Sequence, residues 1–399
     1  MSAGSTQPPP RKLRLMVVDD SAYNRRNIAE IFAGHPDIEI VARAGDGEEA
    51  LRLATTLKPD VITLDLEMPR MDGFTFLRIL MTRQPTPVIV VSSYSQKENV
   101  FKALELGALD FVAKPDRQIS PDSTETRQQI LDKVLLVRNL RPAQIDGLGR
   151  APRARLPTPI PNNPFAQGPA SGGGSADAPG SQSGASPSSS LSRTGQNPVA
   201  AMPIVGAPPR WLVVIGCSTG GPSALLEVVG RLPPNSVAAF AIAQHMPDKF
   251  TRTFAERLGR RGTIRVTEAQ DGDALYAATG FVCPGRQCMD VVSGGGGAMS
   301  WKLKVGSAAP TDRYVPSADR LFKSAAAVAG GRVIGVILTG MGDDGTEGAK
   351  AIRAAGGVVF AESAETAVVN GMPGSAVRAG VVNEVLPLQA LADKLARLG

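Results

Sequence analysis

Apolar and polar positions along the chain alternate between two spacings. In the first third, short apolar runs end on polar residues: 13–18 runs into Asp19 and Asp20, 61–64 into Asp65, 88–91 into Ser92, and 110–113 into Lys114. Amphipathic stretches at 47–57, 74–83 and 99–106 lie between them. Runs this short fit buried strands, and the amphipathic stretches fit helices packed by one face. The alternation predicts a parallel sheet covered on both sides, with functional groups gathered beyond the carboxyl ends of its strands. A second region repeats the pattern, with strands predicted over 211–216, 237–244, 333–339 and 357–361 and helices over 222–232, 248–258 and 346–355. Its polar strand ends include Ser218, His245 and Asp344.

Between the two regions the pattern disappears. Residues 151–200 hold 9 Pro, 7 Gly and 9 Ser among few large apolar side chains, too little apolar surface to offset ordering entropy. This divides the 399 residues into a first domain at 11–140, a disordered linker at 141–208 and a second domain at 209–399. The three cysteines, at 217, 283 and 288, form no Cys-x-x-Cys pair, which argues against structural zinc or a disulfide framework and for a reducing cytosol. No apolar run reaches the ~18 residues of a membrane span, and the first residues lack the apolar stretch of a secretory signal. The net charge of +6 is not concentrated in a basic arm, so neither nucleic-acid binding nor membrane insertion is expected.

In the first domain, carboxylates at the ends of neighbouring strands repel one another unless a cation sits among them. Hard oxygen ligands of this kind suit Mg²⁺. Asp19 and Asp20 are expected to hold the metal together with Asp65 and the backbone carbonyl of Glu67. Asp65, after what should be a central strand, is the expected phosphoryl acceptor, with Lys114 and Ser92 near the phosphoryl group. Residues 11–140 resemble a response-regulator receiver domain, carrying VVDDS, MPRMDG after the Asp65 strand, VSS and AKP. The resemblance implies a flavodoxin-like fold with a five-stranded parallel sheet, a histidine kinase as phosphodonor, and Phe111 as the aromatic switch.

In the second domain, Gly216-Cys-Ser218-Thr-Gly-Gly-Pro222 joins an apolar strand to a helix. Glycines permit a sharp turn there, leaving a serine hydroxyl exposed beside backbone N–H groups. Pro222 stands where a phosphate-binding loop would carry lysine, which excludes that loop. His245 is the single histidine of this domain, the other being His35, and is the candidate base for Ser218. A carboxylate should orient it, and Asp343 and Asp344 both follow a strand. The same segment matches G-x-G-x-x-G at Gly340, Gly342 and Gly345, with Glu362 further on. This keeps open a nucleotide-binding oxidoreductase; a non-catalytic output domain is a further alternative. Two aspartates in the turn would repel a pyrophosphate. The chain order Ser, His, Asp also differs from the Ser, Asp, His of α/β-hydrolases.

Residues 209–399 resemble the chemotaxis protein-glutamate methylesterase family of CheB type. The resemblance implies an α/β doubly wound catalytic domain with Ser218 as nucleophile, His245 as base and Asp344 as its orienting carboxylate. The oxyanion donors map to the N–H groups of Thr219 and Met341, leaving Asp343 as a solvated position. Expected partners are the cytoplasmic helices of methyl-accepting chemoreceptors, and the esterase itself should need no cofactor. The expected activity is demethylation of glutamyl esters and deamidation of glutamines, in the cytoplasm. Phosphorylation should relieve inhibition by the docked receiver, inhibition that the long linker would leave leaky. Arg252, Arg257, Arg260, Arg261 and Arg265 follow His245 and are expected in part to face the acidic receptor. Two positions depart from the family pattern. Cys217 replaces a common alanine and should pack as a small core side chain, and Cys288 stands where histidine is frequent.

Overall fold

The computed structural model describes residues 11–93, 97–114, 124–140, 206–295 and 299–398. Residues 141–205 of the expected linker therefore lie outside the described residues. The first region runs β1 (Leu13–Val18), α1 (Ala22–Ile31), β2 (Ile38–Ala44), α2 (Gly47–Leu57), β3 (Val61–Leu64), α3 (Gly73–Arg83), β4 (Val88–Ser93), α4 (Lys97–Glu105), β5 (Asp110–Lys114) and α5 (Thr124–Leu136). Its five strands pair in parallel in the order β2-β1-β3-β4-β5, which makes β3 central and every residue of that strand buried. Side-chain caps fix the helix starts: Ser21, Asp46 and Asp72 each accept N–H bonds from the first turn that follows.

The second region runs β6 (Trp211–Cys217), α6 (Gly221–Arg231), β7 (Ala238–Gln244), α7 (Asp248–Arg261), β8 (Arg265–Glu268), β9 (Thr279–Val282), β10 (Gln287–Ser293), β11 (Trp301–Ser307), α8 (Ala318–Ala329), β12 (Val333–Ile337), α9 (Thr346–Ala354), β13 (Val358–Glu362), α10 (Met372–Arg378), β14 (Glu384–Leu386) and α11 (Leu388–Ala396). Seven of these strands form one sheet in the order β14-β13-β12-β6-β7-β9-β8, and β10 and β11 form a separate antiparallel hairpin. Strand order reverses at β6, which is flanked by β7 and β12. That reversal opens a crevice beyond the carboxyl ends of these three strands.

Both regions belong to one compact unit. Phe101 of α4 stacks on Phe254 of α7, with ring centroids 5.4 Å apart, and Phe111 of β5 lies 4.8 Å from Phe250. All four rings are buried, each contributing about 2 kcal/mol by leaving water. A charged rim borders them. Arg257 of α7 donates through Nε to Glu105 of α4 at 3.0 Å, and Arg260 pairs with Glu98 at 3.6 Å. These two arginines thus meet the receiver, a contact that the sequence did not suggest. Glu98 and Glu105 of α4 lie far away in sequence, so the pairing left no local trace.

Candidate active site

Three strand ends converge at the crevice. Cys217 of β6 is in register with Gln244 of β7, so Ser218 and His245 are the next residues on adjacent strands, and the His245 N–H donates to the Cys217 carbonyl at 3.0 Å. On the other side of β6, Ile337 of β12 pairs with Gly216, and the chain beyond it turns through residues 338–345. The Ser218 N–H is fixed on the Thr339 carbonyl at 3.0 Å. Gly221 is required by close approach, because a Cβ there would collide with the Gln244 side chain. Pro222 lies in the first turn of α6, as its fixed φ favours.

His245 Nε2 is 2.8 Å from Asp344 Oδ2. Asp344 is 1% exposed and its carboxylate sits over the start of α8. It accepts N–H bonds from Ala318 at 2.7 Å, Asp319 at 2.9 Å and Gly345 at 3.0 Å. Burial alone would raise its pKa, but the bond to His245 and the helix N–H groups outweigh burial and hold it below the usual carboxylate range. An ionised Asp344 fixes the Nε2–H tautomer and leaves Nδ1 to exchange a proton. Thr219 is buried, and Met341 is exposed on its loop. A cavity of about 380 Å³ separates that loop from the receiver, lined by Leu135, Leu136 and Leu140 on one side and by Met341, Val368 and Asn370 on the other.

Asp343 is not simply solvated. It accepts from the Tyr314 hydroxyl at 3.0 Å and from Arg313 at 3.2 Å. Glu362 is 1% exposed at the end of β13 and accepts the Thr339 N–H at 2.8 Å, so it cannot reach a ribose as the dinucleotide reading requires. Cys217 is fully buried, as expected of a core side chain. Cys288 is buried too, its thiol 3.6 Å from Asp312.

In the receiver, Asp19 and Asp20 follow β1 and Asp65 follows β3, with one ligand atom from each within 4.8 Å of the others. Lys114 Nζ lies 2.8 Å from Asp19 and 2.7 Å from Asp65. Burial raises the Asp19 pKa, and neighbouring Asp65 adds to this against the Lys114 charge. One ammonium among three acids leaves negative charge at an open strand end, a donor set that fits a hard divalent cation. Glu67 lines an adjoining cavity with Asp20, and Ser92 is buried on β4.

Gln244, Tyr314 and Asp110 are parts of this site that sequence reasoning missed. Gln244 donates through Nε2 to the carbonyls of both Ser218 and His245, each at 3.0 Å. Tyr314 lies over His245, and Asp110 accepts from Thr219. Gln244 had a visible signal, being the residue before His245 at a strand end; the other two are brought in by long-range packing.

Sequence models of two families match the chain: CheB methylesterase over residues 213–395 and the response regulator receiver domain over 15–120. Protein-glutamate methylesterase/protein-glutamine glutaminase 1 of Myxococcus xanthus is 42% identical over 97% of this chain and 97% of its own length. A Geobacter sulfurreducens relative, protein-glutamate methylesterase/protein-glutamine glutaminase 3, is also 42% identical, over 96% of this chain and 97% of its own. The crystal structure of the Thermotoga maritima CheB methylesterase catalytic domain is 36% identical, covering 47% of this chain and 98% of that one, with a TM-score of 0.45. With its receiver and methylesterase regions in this order and close relatives matched end to end, the chain belongs to the CheB family of protein-glutamate methylesterases/protein-glutamine glutaminases.

Proposed function

We propose that the chain is a phosphorylation-activated serine hydrolase that removes methyl groups from glutamyl esters of chemoreceptors and deamidates receptor glutamines. The observation that carries this is the His245–Asp344 bond at the strand end beside Ser218. Ser218 attacks the γ-carbonyl while His245 takes its proton through Nδ1. The N–H groups of Thr219 and Met341 receive the developing oxyanion. His245 returns the proton to the departing methanol, or to ammonia in deamidation. Water then gives its proton to the same nitrogen and attacks the acyl-serine, restoring Ser218 and releasing glutamate. Asp344 stays ionised throughout and stabilises each imidazolium.

Control resides in the receiver. Asp19, Asp20, Asp65 and the Glu67 carbonyl would hold Mg²⁺, which when bound offsets the charge of a phosphoryl group. Asp65 accepts that group from a histidine kinase, with Lys114 and Ser92 as its neighbours. Phe111 then couples the acceptor to Phe250 across the interface. Chemoreceptor helices are the partner, and the cytoplasm is the compartment in which they and the kinase are met.

The test is methanol release from methylated receptor membranes by wild type, Ser218→Ala and Asp65→Asn, with and without acetyl phosphate and Mg²⁺. Release that needs Ser218 and rises with phosphodonor only when Asp65 is present supports the whole reading. Release indifferent to Ser218 would overturn it.

A further inference from the structure

Tyr314 lies on the loop between β11 and α8, outside the triad and outside every motif described above. Its ring is parallel to the His245 imidazole, with centroids 5.2 Å apart and planes 8° from each other. Three contacts fix it there. Its hydroxyl donates to Asp343, the Arg313 guanidinium sits 5.4 Å from its ring centre, and Arg313 also binds Asp343. Gly342 makes room, since a Cβ there would run into the Tyr314 hydroxyl. The loop itself is clamped, because Arg320 of α8 binds Asp312 at 3.0 Å and Asp290 of β10 at 2.7 Å. Burial and the bond to Asp343 both raise the tyrosine pKa, so the hydroxyl remains a donor at neutral pH.

We infer that Tyr314 is a positioning residue for His245, with Asp343 as its tether. The inference rests on His245 being the base. One aromatic face restricts the imidazole to the plane in which Nε2 meets Asp344. The same face favours the imidazolium that forms in acylation and again in deacylation, since an aromatic ring attracts a cation over it. Neither effect touches substrate, so the loss on removal falls on kcat.

The experiment uses the full chain with acetyl phosphate and Mg²⁺ on a helical peptide carrying one γ-glutamyl methyl ester. Tyr314→Leu is expected to lower kcat about 5- to 10-fold with KM within about two-fold. Tyr314→Phe keeps the ring without its tether and should fall between Leu and wild type. Proton NMR reads the stack independently of activity. His245 and His35 are the two histidines of the chain, so the His245 ring signal should move downfield in Tyr314→Leu while that of His35 stays fixed. An unmoved His245 signal, wild-type kcat in Tyr314→Leu, or equal losses in Leu and Phe would each overturn the inference. Undiminished turnover by His245→Asn would instead overturn the triad, a distinguishable result.

Discussion

Thr219 Oγ1 donates a 2.7 Å hydrogen bond to Asp110 Oδ2, so the residue following Ser218 is tied to the first residue of the receiver strand that ends in Lys114. Asp110 is buried, paired with Lys133, and holds the Phe111 N–H on its other oxygen at 2.8 Å. The bond joins the loop after Ser218 to Phe111 through one carboxylate. On the function proposed, this contact belongs to the inhibited form. Asp110→Ala should raise methanol release by unphosphorylated full-length chain about 3- to 10-fold, the net worth of one ordinary hydrogen bond at about 0.5–1.5 kcal/mol. The phosphodonor-stimulated rate should change little. An unaltered basal rate would remove Asp110 from the coupling.

The rim of the interface makes a separate prediction. Arg257 is 20% exposed and bound by Glu105, so Arg257→Glu places like charges against each other at the receiver boundary. Basal turnover of both a small ester and receptor membranes should rise about two- to five-fold, as expected for part-exposed pairs. Glu105→Arg combined with it should restore inhibition. A receptor-facing arginine would behave oppositely, with loss confined to receptor substrate.

Gln244 holds the backbone carbonyls of Ser218 and His245 with one amide nitrogen. Replacing it by leucine leaves the carbonyls of Ser218 and His245 without that donor and frees their relative position. Small misplacements of reacting groups cost about 10²-fold. The expected outcome for Gln244→Leu is a fall in kcat of about 10- to 100-fold at nearly constant KM. A loss expressed wholly in KM would show that the amide serves substrate binding.

Ser218 and His245 were legible in the sequence because each directly follows an apolar run, and parallel strands bring their carboxyl ends to one edge, whereas only the family resemblance set Asp344 apart from Asp343. Asp19, Asp65 and Lys114 were legible for the same reason. What failed to show was whatever depends on a partner far along the chain. Arg257 reads as an exposed helix position until α4 covers it. Tyr314 sits in a stretch without periodicity, held by Arg320 through Asp312. The strands from β8 to β11 are short or edge-like, with patterns such as the exposed and buried mixture of 287–293, and α8 is largely alanine on its inner face. Neither produces the continuous apolar run that marked the central strands. Glu362 read as a potential ribose ligand by its spacing, whereas its burial beneath Thr339 gives it a structural place.

That burial has a consequence for pH. Glu362 is pushed up to about 7 by burial, against the hydrogen bonds it accepts from Thr339 and Thr366. Cys217, its buried neighbour, has a thiol pKa raised by burial and further by Glu362, and so stays neutral over this range. In the unfolded chain a glutamate ionises near its ordinary pKa of about 4.3. Between that value and about 7 the folded chain therefore holds a proton that the unfolded chain has released. The contribution of this group to stability is complete below the lower value, declines as pH rises through the window, and is lost above it. Its full extent is about 4 kcal/mol, at about 1.36 kcal/mol per unit. Glutamine can accept the same Thr339 N–H without ionising. Glu362→Gln should accordingly gain in Tm relative to wild type between pH 5 and pH 8, by several degrees for the transition of the catalytic region. Parallel Tm curves for the two proteins over that range would show that Glu362 keeps one charge state throughout.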